Sequence, residues 1–576
     1  MAKENKFRAL SDRLRLYLAS VETLPLLVVL GICVGLLAGG VIILFRLTIE
    51  FSQASFLPRG QTESYESLSA ATRLLVAALG GLSVGLVFQA VAEGTRRVGV
   101  VHVMERLAYH QGHLPLKNAF MQFIGAAFSI ISGQSVGREG PGVHLGAASG
   151  SLLGQWLTLP NNSIRTLVAC GVTAAIAASF NTPISGVIFA MEVVMMEYTI
   201  TGFAPVILAA VSATVLTQFV YGSAPAFLVP SLNLGSLSEL PYVFIIGLMM
   251  GVVAFSFTFF LQTFTRWGGK LAYWQRTTIA GLAVGLCALP VPEIMGIGYD
   301  TVNQALLGQL SIWTLILILI AKLFATTFGL GFGLPGGLIG PTLVIGSVGG
   351  GVVGLIVELI FPGEVGSQGF YAMLGMGAMM GATLRAPLAA LMAMLELTAN
   401  PHIILPGMLA VIVAEMTNSY LFKGESVFLA MIKAQGLDYR NDPITQSLRR
   451  ISVASVMDRS FVAANKVLSV QQAKDILKPK PMWVLIEDED KPKSLLRAAD
   501  LVRYLDDVKE NTINLMEIPG QRYDMIAINL QATLQEAKET LDKQGGEVLY
   551  VWRTAAPNIS RVYGILTRQA IESNYR

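Results

Sequence analysis

Long stretches without a charged side chain constrain this sequence more than any other feature. Leu26–Phe45, Leu74–Ala92, Thr166–Met191 and Phe203–Ser238 are among them, and each approaches or exceeds the roughly 20 residues that cross a hydrocarbon layer. Over 576 residues the chain is 53% hydrophobic and only 14% charged, so its bulk belongs in a lipid bilayer, crossed many times. The opening "MAKENKFRALSDRLRLYL" lacks the short apolar core and small-residue cleavage site of a secretion signal and reads as a basic amphipathic lead-in. Lys3, Lys6, Arg8, Arg13 and Arg15 precede the first span, which predicts a cytoplasmic N-terminus.

The charge pattern narrows the partners. A formal net charge of +3 gives no basic footprint for nucleic acid. Cys33, Cys170 and Cys287 lie apart in apolar runs, and His102, His110, His113, His144 and His402 show no ligand spacing; neither a disulfide framework nor a metal site is expected. His144, just over one turn beyond Glu139, is expected to pack or to hydrogen-bond locally. Composition changes after about residue 440. From Ile451 to Arg576, short strands such as "MWVLIED" and "EVLYVWR" alternate with helical stretches such as "SVQQAKDILK" and "LQEAKETLDKQ", the pattern of a soluble α/β module. The expected organisation is an amphipathic cytoplasmic segment (1–20), a transmembrane domain (21–437), a linker (438–450) and a cytosolic domain (451–576), which leaves the C-terminus cytoplasmic too.

The transmembrane part repeats itself. Gly137, Gly140, Pro141, Gly146, Gly150 and Gly154 recur 200 positions on as Gly337, Gly340, Pro341, Gly346, Gly350 and Gly354. Gly171, Pro183 and Glu192 recur 204 positions on as Gly375, Pro387 and Glu396. Two copies of one unit explain both sets. Each copy carries Gly-x-x-Gly-Pro, which breaks the backbone at membrane depth just before a helical run. Such breaks are tolerated only where they line a cavity or are buried in protein, and in duplicated transporters they aim helix N-termini at an anion near the midplane.

Glu139 stands at one of these breaks. An ionisable residue between apolar runs is functional by default, and its carboxylate is placed to fill the position that a dissolved anion would take. The bland alternative is a static pair with Arg138, and Arg138 itself reads as structural. No nucleophile, base and orienting group, nor any metal cluster, is apparent at membrane depth, so an enzyme is not expected.

These residues resemble the CLC family of chloride channels and chloride/proton exchangers. "GREGP" (Gly137–Pro141) is that family's most specific motif; "PGGLIGP" (Pro335–Pro341), "LPLK" (Leu114–Lys117) and "NTPISGVIFAMEV" match further segments. In the tail, "VASVMDRSFVAANKVLS" and "GGEVLYVWRTAAPNISRVYGILTRQAIE" resemble the two halves of a paired CBS domain. The resemblance implies an all-α polytopic membrane protein with an inverted internal repeat, followed by a cytosolic α/β CBS pair. It also implies a homodimer with one anion pathway per subunit in a bacterial inner membrane, with chloride and similar small anions as substrate and no cofactor in the membrane domain. By position, the backbone amides of Leu338 and Ile339 would hold a central anion. Gly137, Arg138, Gly140 and Glu139 would form the outer site, with Glu139 as the gate.

Three positions depart from the family pattern. The serine that contacts the central anion is Val98 here, and the tyrosine that supplies the second hydroxyl is Phe428. The internal glutamate that many exchangers use for protons is Val193, one residue after Glu192. Valine cannot titrate, which tilts the expectation towards passive or weakly coupled conduction. A chloride/proton antiporter is the alternative, with Glu192 or Glu197 as a substitute station, although both also read as helix-end charges. A non-transporting membrane sensor with a CBS ligand domain is a further alternative. The resemblance also implies an adenine nucleotide at the CBS pair. There Arg497 and Asp500 occupy the ribose-binding positions of the first half, Thr567 and Ala570 those of the second, so each half lacks one partner. A dimerisation module without nucleotide is equally consistent.

Overall fold

The computed structural model describes residues 24–58, 62–197, 200–227, 234–361, 366–437, 443–488, 491–507, 511–556 and 559–574; the expected N-terminal segment, 1–20, lies outside them. The described residues divide into two compact units, one within 27–155 and 165–437 and the other within 156–164 and 443–574. Of the expected linker, 438–442 lie outside the described residues, and Pro443–Arg450 forms a helix of the second unit.

The larger unit is helical. Among the described residues eight helices are long and apolar enough to cross a membrane, and three shorter apolar ones accompany them. The helices that position the site are, in chain order, α1 (Gly99–Tyr109), α2 (Glu139–Trp156), α3 (Asn161–Phe180), α4 (Pro183–Phe189), α5 (Tyr299–Leu306), α6 (Ile312–Gly331), α7 (Ile339–Ile360), α8 (Gln368–Leu384), α9 (Pro387–Thr398) and α10 (Val427–Ala434).

The duplication is visible in the backbone. In the first copy the helix Leu116–Ile131 stops at Gly133, φ +71°, and the chain runs extended before α2 begins. In the second, α6 stops near Gly333, φ +92°, and the chain runs extended before α7. Glycine reaches this left-handed conformation without the Cβ clash that other residues meet. The extended segments pair antiparallel: the Gly137 N–H donates to the Gly337 carbonyl and the Gly337 N–H to the Gly137 carbonyl, both at 2.7 Å. An antiparallel pairing of one motif with its own copy is what a local two-fold relation produces. A Cβ on Gly140 would lie 2.7 Å from the Gly337 Cα, so neither loop has room for a side chain at the crossing.

Helix packing repeats too. Small residues let backbones approach in apolar surroundings, and α2 meets α3 where Gly146 faces the Gly171 carbonyl, as α7 meets α8 where Gly346 faces the Gly375 carbonyl. Pro183 and Pro387 each open a short helix, where a missing N–H costs nothing. The remaining first-turn donors are satisfied across the two copies. Glu192 accepts from Leu388 N (3.3 Å) and Ala389 N (2.8 Å) of α9, and Glu396 accepts from Ile184 N (2.9 Å) and Ser185 N (2.7 Å) of α4.

The second unit holds a six-stranded sheet. Its strands are β1 (Phe461–Asn465), β3 (Trp483–Asp488), β4 (Lys491–Arg497), β6 (Arg522–Asn529), β7 (Val548–Ala556) and β8 (Ile559–Thr567), in that spatial order, with β2 (Val467–Ser469) and β5 (Thr512–Asn514) paired separately. Here too a pattern occurs twice. β1 and β3 are parallel and β3 and β4 antiparallel, and β6 and β7 are parallel and β7 and β8 antiparallel. One apolar cluster includes Ala464, Val484 and Leu501, a second includes Leu534, Leu549 and Leu566, and a third forms around Trp483, Leu485 and Ile565. This doubled α/β arrangement is consistent with a CBS pair.

Candidate functional site

Glu139 is fully buried at the first residue of α2. A buried carboxylate needs donors at both oxygens, and the second copy supplies them. Gly340 N donates to Oε2 at 3.2 Å, and the Tyr299 hydroxyl donates to Oε1. The carboxylate therefore sits against the N-terminus of α7, where unpaired N–H groups and the positive end of the helix favour a negative charge. Leu338 and Ile339 open that helix beside it, both buried.

Arg138 does not form an ion pair with Glu139 among the described residues. Its Nη2 donates to the Ser179 carbonyl at 3.3 Å, and its guanidinium carbon lies 5.2 Å from the centre of the Tyr299 ring. Gly137 and Gly140 are held by the crossing of the two loops.

A cavity of about 720 Å³ reaches the loop crossing at Gly140 and is lined also by Val98, Leu338, Ile339 and Phe428. Arg96, Arg97 and Arg276 line it as well, against Glu93 and Glu105; Arg97 pairs with Glu105. The structure thus brings together the positions expected around a central anion, and at two of them, Val98 and Phe428, the side chain has no hydroxyl to offer. Histidine contacts run further than expected: His144 meets His102 of α1, Nε2 to Nδ1 at 2.9 Å, both buried.

Val193 and Glu192 lie elsewhere, in the π-helical turn Ala190–Met195 that follows α4. Val193 is buried, and both oxygens of Glu192 are engaged by α9 as described above. Glu197 faces Arg165 at 3.7 Å, both nearly buried. In the second unit, Arg497 lies over the Trp483 ring at 5.9 Å, and the Thr567 hydroxyl accepts from Ala570 N at 3.2 Å as the cap of the last helix. Asp500 and Thr567 belong to different halves and share no hydrogen bond among the described residues.

Tyr299 escaped the sequence reading. A signal was available: carried 38 residues upstream of each glycine motif, the 200-residue displacement sets the start of α5 at Tyr299 opposite the start of α1 at Gly99. The segment preceding α1 was expected to contribute to the anion site through Val98, and the same displacement carries that expectation to the start of α5.

A family model described as voltage gated chloride channel matches residues 80–419. The chain belongs to that family. A ClcB-like protein of Ralstonia nicotianae is 32% identical over 354 residues, 60% of this chain and 82% of that one. The H(+)/Cl(-) exchange transporter ClcA of Vibrio cholerae is 28% identical over 295 residues, 50% of this chain and 63% of that one, so the match spans just under two thirds of that relative. Among solved structures, a slow cyanobacterial Cl-/H+ antiporter superposes with a TM-score of 0.62 at 24% identity, over 71% of this chain and 97% of that chain. A eukaryotic CLC transporter superposes with a TM-score of 0.58 at 19% identity, over 94% and 97%. At such identities the superpositions establish the CLC fold, which here is a multi-pass membrane domain followed by an α/β domain.

Proposed function

We propose that this CLC protein carries chloride and similar small anions across a bacterial membrane as a homodimer with both termini in the cytoplasm, and that Glu139 gates the route. The observation that carries the reading is the seat of Glu139 on Gly340 N–H. An ionised carboxylate there occupies an anion's position, and protonation removes the charge that holds it. The activity is transport rather than catalysis, with no cofactor in the membrane domain.

Two readings of coupling remain, each with its own support. Exchange of chloride for protons is favoured by the named activity of the ClcA relatives. Passive or weakly coupled conduction is favoured by Val193 and by the engagement of both Glu192 oxygens in capping α9, which occupies the substitute station. A small cavity lined by Ile176, Phe180, Phe189, Ile339 and Met380 measures about 10 Å³, room for at most one water. Crossed chloride and pH gradients across vesicles holding the purified protein decide between them. A reversal potential that shifts with the pH gradient at fixed stoichiometry establishes exchange, one that follows chloride alone establishes conduction, and no anion flux at all overturns both.

A further inference from the structure

From the geometry around Glu139 we infer that the Tyr299 hydroxyl is a latch: it holds the ionised carboxylate in the anion position and so sets the pH at which the gate opens. The inference rests on Glu139 being the gate and adds the residue that determines its set point.

A donor to a carboxylate stabilises the ionised form over the protonated one. Of the two donors on Glu139, the Gly340 N–H belongs to a helix start, which any anion in that position would also use. The Tyr299 hydroxyl is a side-chain donor, and the fold immobilises it. Its ring packs edge-on against Phe227 (5.6 Å between centres) and near Phe180 (6.1 Å), with Arg138 on its face. The chain leading to it is pinned by Lys322, fully buried, whose Nζ donates to the carbonyls of Ile294 (2.9 Å) and Gly296 (3.0 Å). Gly298, φ +87°, then turns the backbone into α5. The hydroxyl is thus fixed in place, and in the proposed gating it is the carboxylate that leaves.

Other charges act on the same point. Arg138 at the start of α2, Lys322 of α6 and Glu63, on the segment ahead of the helix Ala70–Gln89, all interact electrostatically with Glu139. Asp300 of α5 and Glu66 act on Lys322. All of them are unchanged when Tyr299 becomes Phe, so that substitution isolates the hydroxyl.

The test is anion efflux against pH from vesicles holding the full-length chain, for the wild type, Tyr299→Phe, Glu139→Gln and protein carrying a ring-fluorinated tyrosine at 299. Loss of a hydrogen bond to a charged group moves the midpoint in Tyr299→Phe to higher pH by about one to two units. The fluorinated ring, a stronger donor of the same shape, moves it to lower pH. Unmoved midpoints alongside a flat Glu139→Gln profile overturn the latch and leave the gate standing. A Glu139→Gln profile that keeps the wild-type pH dependence removes the gate, and the latch with it. If Tyr299→Phe fails to fold, the fluorinated protein alone decides: a downward shift supports the latch and an unmoved midpoint overturns it.

Discussion

The two glycine loops, Gly137–Pro141 and Gly337–Pro341, share a backbone and bond to each other in register, yet they carry different chemistry. The first holds Arg138 and Glu139; at the same positions the second holds Leu338 and Ile339. The second copy presents bare amides at a helix start, and the first presents the charged group that sits on them. Glu192 and Glu396 make the contrasting case. Each caps the opposite copy's short helix through two backbone N–H groups, so a glutamate kept in both copies is bonded alike in both. Where the duplication has kept a charge in both copies the bonding is that of a helix cap, and where it has kept one in a single copy the proposed role is gating.

The largest expected effect tests the asymmetric member. In Glu139→Gln the side chain keeps its shape and loses its charge at all pH values, so anion flux becomes independent of pH. In the wild type flux rises as pH falls, by roughly tenfold per unit on the limb where the carboxylate is mostly ionised. Flux measured from pH 4 to 8 in vesicles checks this, and a persistent pH profile in the variant would place the gate elsewhere.

The crossing of the loops is symmetric, so damage to either side is expected to be equal. Gly140→Ala and Gly337→Ala each force a Cβ into the partner backbone, 2.7 Å from Gly337 Cα in one case and 2.5 Å from Gly140 N in the other. Overpacking of this kind costs roughly 1–3 kcal/mol. Gly40→Ala, with nothing within 4 Å of the added atom, is the control. Thermal unfolding in detergent should rank the first two together and well below the control; a large difference between them would break the two-fold reading.

Much of this was legible in the sequence because it is carried by residue identity. Glycines and prolines at constant displacement mark backbone breaks, and a lone carboxylate between apolar runs marks a site. Bonding partners were not legible. Glu192 and Glu396 were visible as a matched pair, but not that each is bonded to the other copy, about 200 residues away. The His102 partner of His144 lies on a separate helix. Tyr299 carries no charge and sits among apolar residues, so only its place in the duplication distinguished it.

Glu192→Ala and Glu396→Ala extend the comparison at smaller scale. Each leaves two helix-start donors without an acceptor, a loss of about 0.5–2 kcal/mol, similar for both. Neither substitution should change the ratio of protons to anions moved. If Glu192→Ala alone alters that ratio, Glu192 is a proton station and not a cap.

The smallest effect concerns the cavity lined by Val98 and Phe428, the two positions at which the sequence departs from the pattern that the resemblance implies for a central anion site. Val98 and Phe428 stand where hydroxyl donors would face a central anion, and both line the same cavity as Leu338 and Ile339. With those donors absent, an anion seated there would depend on the backbone N–H groups at the start of α7, which do not titrate. Val98→Ser together with Phe428→Tyr restores two donors. One well-placed hydrogen bond from the pair contributes about 0.5–1.5 kcal/mol, and the added phenol oxygen enters a cavity of about 720 Å³, so crowding is not expected to cancel the gain. Chloride binding measured by calorimetry should tighten by roughly twofold to tenfold, while the pH profile, which belongs to the first loop, stays where it was. Unchanged or weaker binding in a folded double variant would mean that these side chains do not face the ion. A moved pH profile would mean that the seat and the gate are not separable, and the division of labour between the two loops would fail.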